Sequence, residues 1–207
     1  MSKKNMPLIR RLAQKEYNKQ FLKMAKIEMD MLKRLITTES RTNADIAFTR
    51  LSEGRQDLIS PYILTDDLYA LEWQAKKFKE NTYLVENKIY DTRRGEKVRS
   101  KSEAIIADIL FELRIPYKYE APIHLGGRNR YPDFTLLKTI SREEIFLEHF
   151  GLMDDEDYRA SAFQKLDEYR ENGIYLGKNL IITYETASAP LDIKGIRRML
   201  KEIMLKR

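Results

Sequence analysis

The sequence predicts a fold of the α+β / α/β kind, a mixed sheet flanked by helices and preceded by a helical amino-terminal region. Two observations carry that expectation. After residue 95 the apolar side chains alternate between helical spacing and short strand-like runs, in the order helix, strand, strand, strand, helix, strand, helix. Before it, apolar residues recur every three or four positions over 8–36 and 65–81. The polar segment 91–97, which contains Gly95, separates the two textures, so residues 1–95 are expected to form one region and 96–207 a second domain.

Within residues 8–36, Tyr17, Phe21, Met24, Ile27, Met31 and Leu35 share one stripe of a long basic helix. That helix is either simply solvated or an arm for nucleic acid, a partner protein or a second copy of the chain. A second helix is expected over 65–81. Thr65 would cap it, Asp66 and Asp67 would complement the positive first turn, and Leu68, Leu71, Ala75 and Phe78 would face inward, with Trp73 off the stripe. Residues 100–113 read as a helix that stops before Pro116, and 117–123 as a strand followed by a turn at Gly126 and Gly127. Strands at 131–137 and 145–150 are joined by the polar run 138–144. A helix over 155–172 ends at Gly173, the run 179–184 is a strand buried on both faces, and a closing helix over 192–206 turns Ile193, Ile196, Leu200 and Ile203 inward.

Composition narrows the chemistry. There is no cysteine and there are two histidines, His124 and His149, so disulfides and zinc-ribbon ligand sets are excluded and a metal would have to sit on oxygen. No apolar run is long enough for a membrane span and the first residues lack the apolar core of a secretory signal, so a cytoplasmic protein without membrane contact is expected. The net charge of +6 points to an anionic partner. Residues 1–39 hold ten Lys/Arg against four Asp/Glu, and the remainder balances at 28 of each, so the leading segment carries the whole excess.

If the turn between the second and third strands is centred between Ile140 and Ser141, Asp133 lies directly opposite Glu148. Opposed residues on an antiparallel pair share a face, with Cβ atoms roughly 4.5–5.5 Å apart, and two carboxylates there repel. A hard divalent cation such as Mg2+ relieves that repulsion. A register slip of one residue would instead turn both acids to solvent.

The Pro132-Asp133 pair, Glu148 on the next strand and Glu103 on the preceding helix resemble the PD-(D/E)XK nuclease superfamily, the restriction-endonuclease-like fold. The resemblance spans about residues 98–207. The run Leu147-Glu-His-Phe-Gly-Leu-Met-Asp-Asp155, with Tyr158, Lys165 and Tyr169 behind it, is similar to nuclease domains of helicase-linked and prophage proteins. The resemblance implies an endonuclease-type hydrolase of phosphodiester bonds, acting on nucleic acid and above all DNA, with Mg2+ as cofactor and Mn2+ as a substitute. Metal ligands would be Asp133, Glu148, the carbonyl of His149, and Glu103 directly or through water. One position departs from the pattern: Phe150 stands where the superfamily carries its lysine, and Lys165 on the inward stripe of the following helix is the expected replacement. Gln164, Tyr169, His149 and Glu120 are expected beside the substrate. Several of these have an ordinary role as well: Ser100 and Glu103 fit a capping box, Lys165 fits a snorkelling stem, and Glu120 fits an exposed strand residue.

Overall fold

The structure, a computed structural model, describes residues 6–42 and 46–205. The expected basic excess begins at Lys3 and Lys4, which lie outside the described residues, as does Lys206 at the end of the expected closing helix. The chain divides into two compact units, Met1–Leu64 and Thr65–Arg207. The second unit therefore starts at Thr65, ahead of the boundary expected near Gly95.

The first unit contains a long helix α1 (Met6–Thr42) followed by two single-turn helices, α2 (Ile46–Thr49) and α3 (Glu53–Gln56). Along α1 the stripe from Tyr17 to Leu35 is exposed, and the rings of Tyr17 and Phe21 stack at 6.1 Å. No described helix is long and apolar enough to cross a membrane.

The second unit is an α+β domain. It runs α4 (Asp66–Ala75), a small hairpin of β1 (Tyr90–Asp91) and β2 (Lys97–Val98), α5 (Lys101–Glu112), β3 (Tyr117–Tyr119), β4 (Ile123–Leu125), β5 (Arg128–Arg130), β6 (Phe134–Lys138), β7 (Glu143–Phe150), α6 (Glu156–Glu171), β8 (Leu180–Tyr184) and α7 (Ile193–Met204). The main sheet has the order β3-β6-β7-β8, antiparallel except for the parallel pair β7 and β8. The strand expected over 117–123 is broken instead into β3 and the separate β4/β5 hairpin, because Glu120 takes a left-handed φ of 45° and ends the first strand. Gly126 and Gly127, at φ of 53° and 80°, form the two-residue turn of that hairpin, a geometry that favours glycine.

One face of the sheet packs against α5 and α7. Ile106, Leu110, Phe134, Leu136, Ile145, Leu147, Ile181 and Leu200 form this main core. The other face packs against α6 through Phe146, Tyr169, Ile174 and Leu180. On α7, Ile196, Leu200 and Met204 are buried, whereas Ile193, expected inward, is exposed because it occupies the first turn, beyond the sheet's cover.

The face of α4 differs from expectation. Thr65 caps the helix by accepting the Leu68 N–H at 3.3 Å, but the helix stops at Ala75, where Lys76 turns extended. Its buried face is Ala70 and Trp73, packed on Leu137, while Leu71 is 63% exposed. A polar tie decides the rotation: the Trp73 indole donates to Glu144 at 2.7 Å, and the Lys118 ammonium sits 4.1 Å from the indole centroid. Periodicity weighs only apolar contacts, so it could not find an indole held by a carboxylate 71 residues away. Trp73→Ala is expected to cost about 3–5 kcal/mol in urea unfolding, against less than about 0.5 kcal/mol for Leu71→Ala. Comparable losses for the two variants would mean that the helix does not dock through Trp73.

Candidate functional site

The register of β6 and β7 builds the site. Phe134 pairs with Leu147, Thr135 with Phe146 and Leu136 with Ile145. One step further along the same register sets Asp133 across from Glu148, on the face that carries Thr135 and Phe146. The Asp133 carbonyl accepts the Glu120 N–H at 3.1 Å, and its Oδ2 accepts the His149 backbone N–H at 2.6 Å. These bonds hold the carboxylate at the end of the strand pair.

Glu148 is 1% exposed. Its Oε2 accepts from Lys165 Nζ at 2.6 Å, and its Oε1 accepts from the Tyr169 hydroxyl. Both donors stand on α6, four residues apart and so on one side of the helix. The helix is positioned by its N-cap Asp155, which accepts the Tyr158 N–H at 2.7 Å, and it ends before Gly173, whose φ of 80° suits a left-handed cap. Tyr158, seven residues before Lys165, accepts the Gly151 N–H on its hydroxyl at 3.2 Å.

Charge is unevenly shared in this cluster. Burial, then the nearby charge of Glu148, pushes the Asp133 carboxyl well above the usual carboxylate range, and Lys165 and the His149 N–H only partly offset this. Burial alone would lower the Lys165 ammonium, but Glu148 and Asp133 outweigh it and raise it, so this lysine stays charged. Burial and the adjacent acids push Tyr169 and Tyr158 up, and both hydroxyls keep their protons.

The remaining expected residues are placed differently. Glu103 Oε1 accepts from the Ser100 hydroxyl at 3.0 Å, and its Oε2 accepts from the Tyr119 hydroxyl at 2.7 Å and the Arg99 N–H at 3.1 Å. Its charge reaches Asp133, but its oxygens serve the start of α5, and among the described residues no three acids or imidazoles converge as a ligand set. Glu120 is buried rather than exposed on a strand, bracketed by Lys88 and Arg99, each at 2.6 Å. It works as a structural anchor whose N–H holds the Asp133 carbonyl. The His149 ring alternates to the opposite face, where it meets Thr183 Oγ1 at 3.0 Å and Glu185 at 3.4 Å. Gln164 is exposed on α6.

Tyr158, named with Lys165 and Tyr169 from the sequence, shares their helical face. One participant escaped sequence reading. Glu185, just past β8, accepts from the Ser102 hydroxyl at 2.6 Å and meets the His149 ring, and no local pattern marks it.

The donors suit a hard divalent cation: two opposed carboxylates, oxygen only, one of them with its proton affinity raised by burial and then by its neighbour's charge, which a cation would offset. Asp133 Oδ1 has no hydrogen-bond partner among the described residues and remains available.

The chain is 34% identical over 95 residues to an uncharacterized protein of Methanocaldococcus jannaschii. That alignment covers 45% of this chain and 8% of the relative, so the chain spans a small part of the archaeal protein's length. No protein-family profile matches the sequence, and no solved structure matches it significantly.

Two outcomes are expected from this geometry. Lys165→Met strands a buried carboxylate and should cost about 2–3 kcal/mol in chemical denaturation, below the roughly 3–5 kcal/mol of a fully buried pair because the ammonium is partly exposed. Adding Glu148→Gln should restore part of that loss, and a double variant as unstable as the sum of the singles would show that the pair is not coupled. Because the folded state favours protonated Asp133, its contribution to metal-free stability is present at acid pH and lost as pH rises through the raised value. The Tm of Asp133→Asn should therefore climb relative to wild type as pH rises above the ordinary carboxylate range, and a pH-independent difference would remove the basis for this reading.

Proposed function

We propose that the Asp133–Glu148 face is the active site of a Mg2+-dependent nuclease of the PD-(D/E)XK kind, hydrolysing phosphodiester bonds in DNA. The observation that supports it best is the placing of two acids across from each other on neighbouring strands, with Lys165 at 2.6 Å from Glu148. The order α5, β3, β6, β7, α6, β8 and the mixed sheet support the same reading.

Mg2+, or Mn2+ in its place, would be held by Asp133, Glu148 and the carbonyl of His149, and when bound it supplies an acidified water and charge neutralisation at the phosphate. The protein's own groups do the rest. The His149 N–H and the Glu120 N–H hold Asp133 in position. Tyr169 fixes one oxygen of Glu148, which leaves the other to Lys165. Lys165 Nζ carries donors that Glu148 does not use, and these would orient the attacking water or donate to a phosphate oxygen as its charge grows. Glu103, committed to Ser100 and Tyr119, would act on a cation only through water. The exposed stripe of α1 would serve as a contact for a second copy or a partner protein.

A second reading, binding without turnover, draws on the closure of both Glu148 oxygens and on Phe150 in the lysine's usual place. Cleavage of plasmid and single-stranded DNA in Mg2+ separates the two. Wild type should cut, and Asp133→Asn and Glu148→Gln should each lose at least about 100-fold in rate with the fold retained by circular dichroism. Cleavage surviving in both variants excludes this site, and a wild type that binds DNA without cutting it in Mg2+ or Mn2+ leaves the binding reading.

A further inference from the structure

A second feature shares the face of Asp133 and Glu148. Lys118 on β3 pairs with Thr135 on β6, and Thr135 pairs with Phe146 on β7, so these three form the next row across the same side of the sheet. Thr135 lies two residues from Asp133, roughly 6–7 Å along the strand. It lines a cavity of about 150 Å3 together with Lys76, Lys77, Lys118, Phe78 and Glu144. That volume equals about five water molecules. It suits a single oxyanion and falls short of the roughly 300 Å3 where pockets for larger organic ligands begin.

Two properties of the cavity are independent of each other. The Thr135 side chain is 2% exposed, and its hydroxyl has no hydrogen-bond partner among the described residues, an uncommon state for a buried donor. The lining also carries three ammonium groups against one carboxylate, and that carboxylate, Glu144, is already bonded to the Trp73 indole. Burial, together with Lys76, lowers the Lys118 ammonium despite Glu144, a strain that a bound anion would relieve.

We propose that the cavity between α4, β3 and β6 is an oxyanion subsite that seats a phosphate of a nucleic-acid strand lying across the Asp133–Glu148 face. The oxyanion chemistry stands on the cavity alone, whereas the nucleic-acid source rests on the function proposed above. Lys118 and the Thr135 hydroxyl form the floor, and Lys76 and Lys77 close over the anion from the end of α4.

The test uses the full chain in EDTA, so that no turnover is needed. Inorganic phosphate is expected to raise Tm relative to chloride at equal ionic strength, and the rise should vanish in Lys76→Gln/Lys77→Gln and in Thr135→Val. A labelled single-stranded oligonucleotide should bind both variants about tenfold more weakly, and in Lys76→Gln/Lys77→Gln the salt slope should be shallower by about 0.7 for each phosphate that is no longer neutralised, with the slope unchanged in Thr135→Val. Thr135→Val removes an unpartnered buried hydroxyl and should not lower Tm in chloride. A phosphate response retained in the variants overturns the subsite, as does a Tm loss in Thr135→Val, which would assign the hydroxyl to the fold. A response abolished with oligonucleotide affinity unchanged overturns the nucleic-acid occupant and leaves a site for free phosphate. Because neither measurement involves cleavage, a chain that binds in this way without cutting would sink the nuclease reading while leaving the subsite standing.

Discussion

Everything at this site depends on the alignment of β6 with β7. Side chains alternate along a strand, so a shift of one residue would send Asp133 and Glu148 to opposite environments and move Thr135 and Phe146 with them. The observed pairing from Phe134–Leu147 through Lys138–Glu143 allows no such shift, because the same alignment buries Phe134, Leu136, Ile145 and Leu147 against α5 and α7. The apolar face and the acidic pair are consequences of one register. Moving the acids apart would require exposing the core.

Burying two carboxylates in that row has a cost, visible in the proton affinity of Asp133, raised first by burial and then by the charge of Glu148. The fold answers it in two ways. Glu148 receives a charged lysine and a tyrosine hydroxyl from α6, while Asp133 receives a backbone N–H and only the more distant charge of the same lysine. The imbalance leaves one carboxylate satisfied and its neighbour seeking positive charge, the condition under which a cation binds readily. Around this centre, Glu120 with Lys88 and Arg99, and Glu103 with Ser100 and Tyr119, form ion pairs and caps that hold the strand ends and the start of α5. The acids thus divide into those that anchor backbone, as the capping-box reading of Glu103 expected, and those that meet at the sheet.

On the same face, the row from Lys118 to Thr135 extends the electrostatic pattern away from the acids. Negative charge gathers at the end of β6 and positive charge beside α4, the distribution on which the proposed reading of this face as a nucleic-acid site draws.

Much of this was legible from residue order. The helices over 101–112, 156–171 and 193–204 and the strands at 134–138, 143–150 and 180–184 follow from periodicity and caps, and symmetry about the Ile140–Ser141 turn was enough to pair Asp133 with Glu148. Helical spacing likewise brought Lys165 and Tyr169 to one side. What only the tertiary structure decided were the interactions between elements distant in sequence. Trp73 turned α4 onto Leu137 because Glu144 and Lys118 met its ring, Glu120 became an anchor because its left-handed turn delivered it to Lys88 and Arg99, and Glu185 joined His149 across parallel strands. Local periodicity records which side of an element is apolar. It does not record which polar groups of other elements will be waiting there, and hydrogen bonds and charge pairs between distant segments are settled only when the chain has packed.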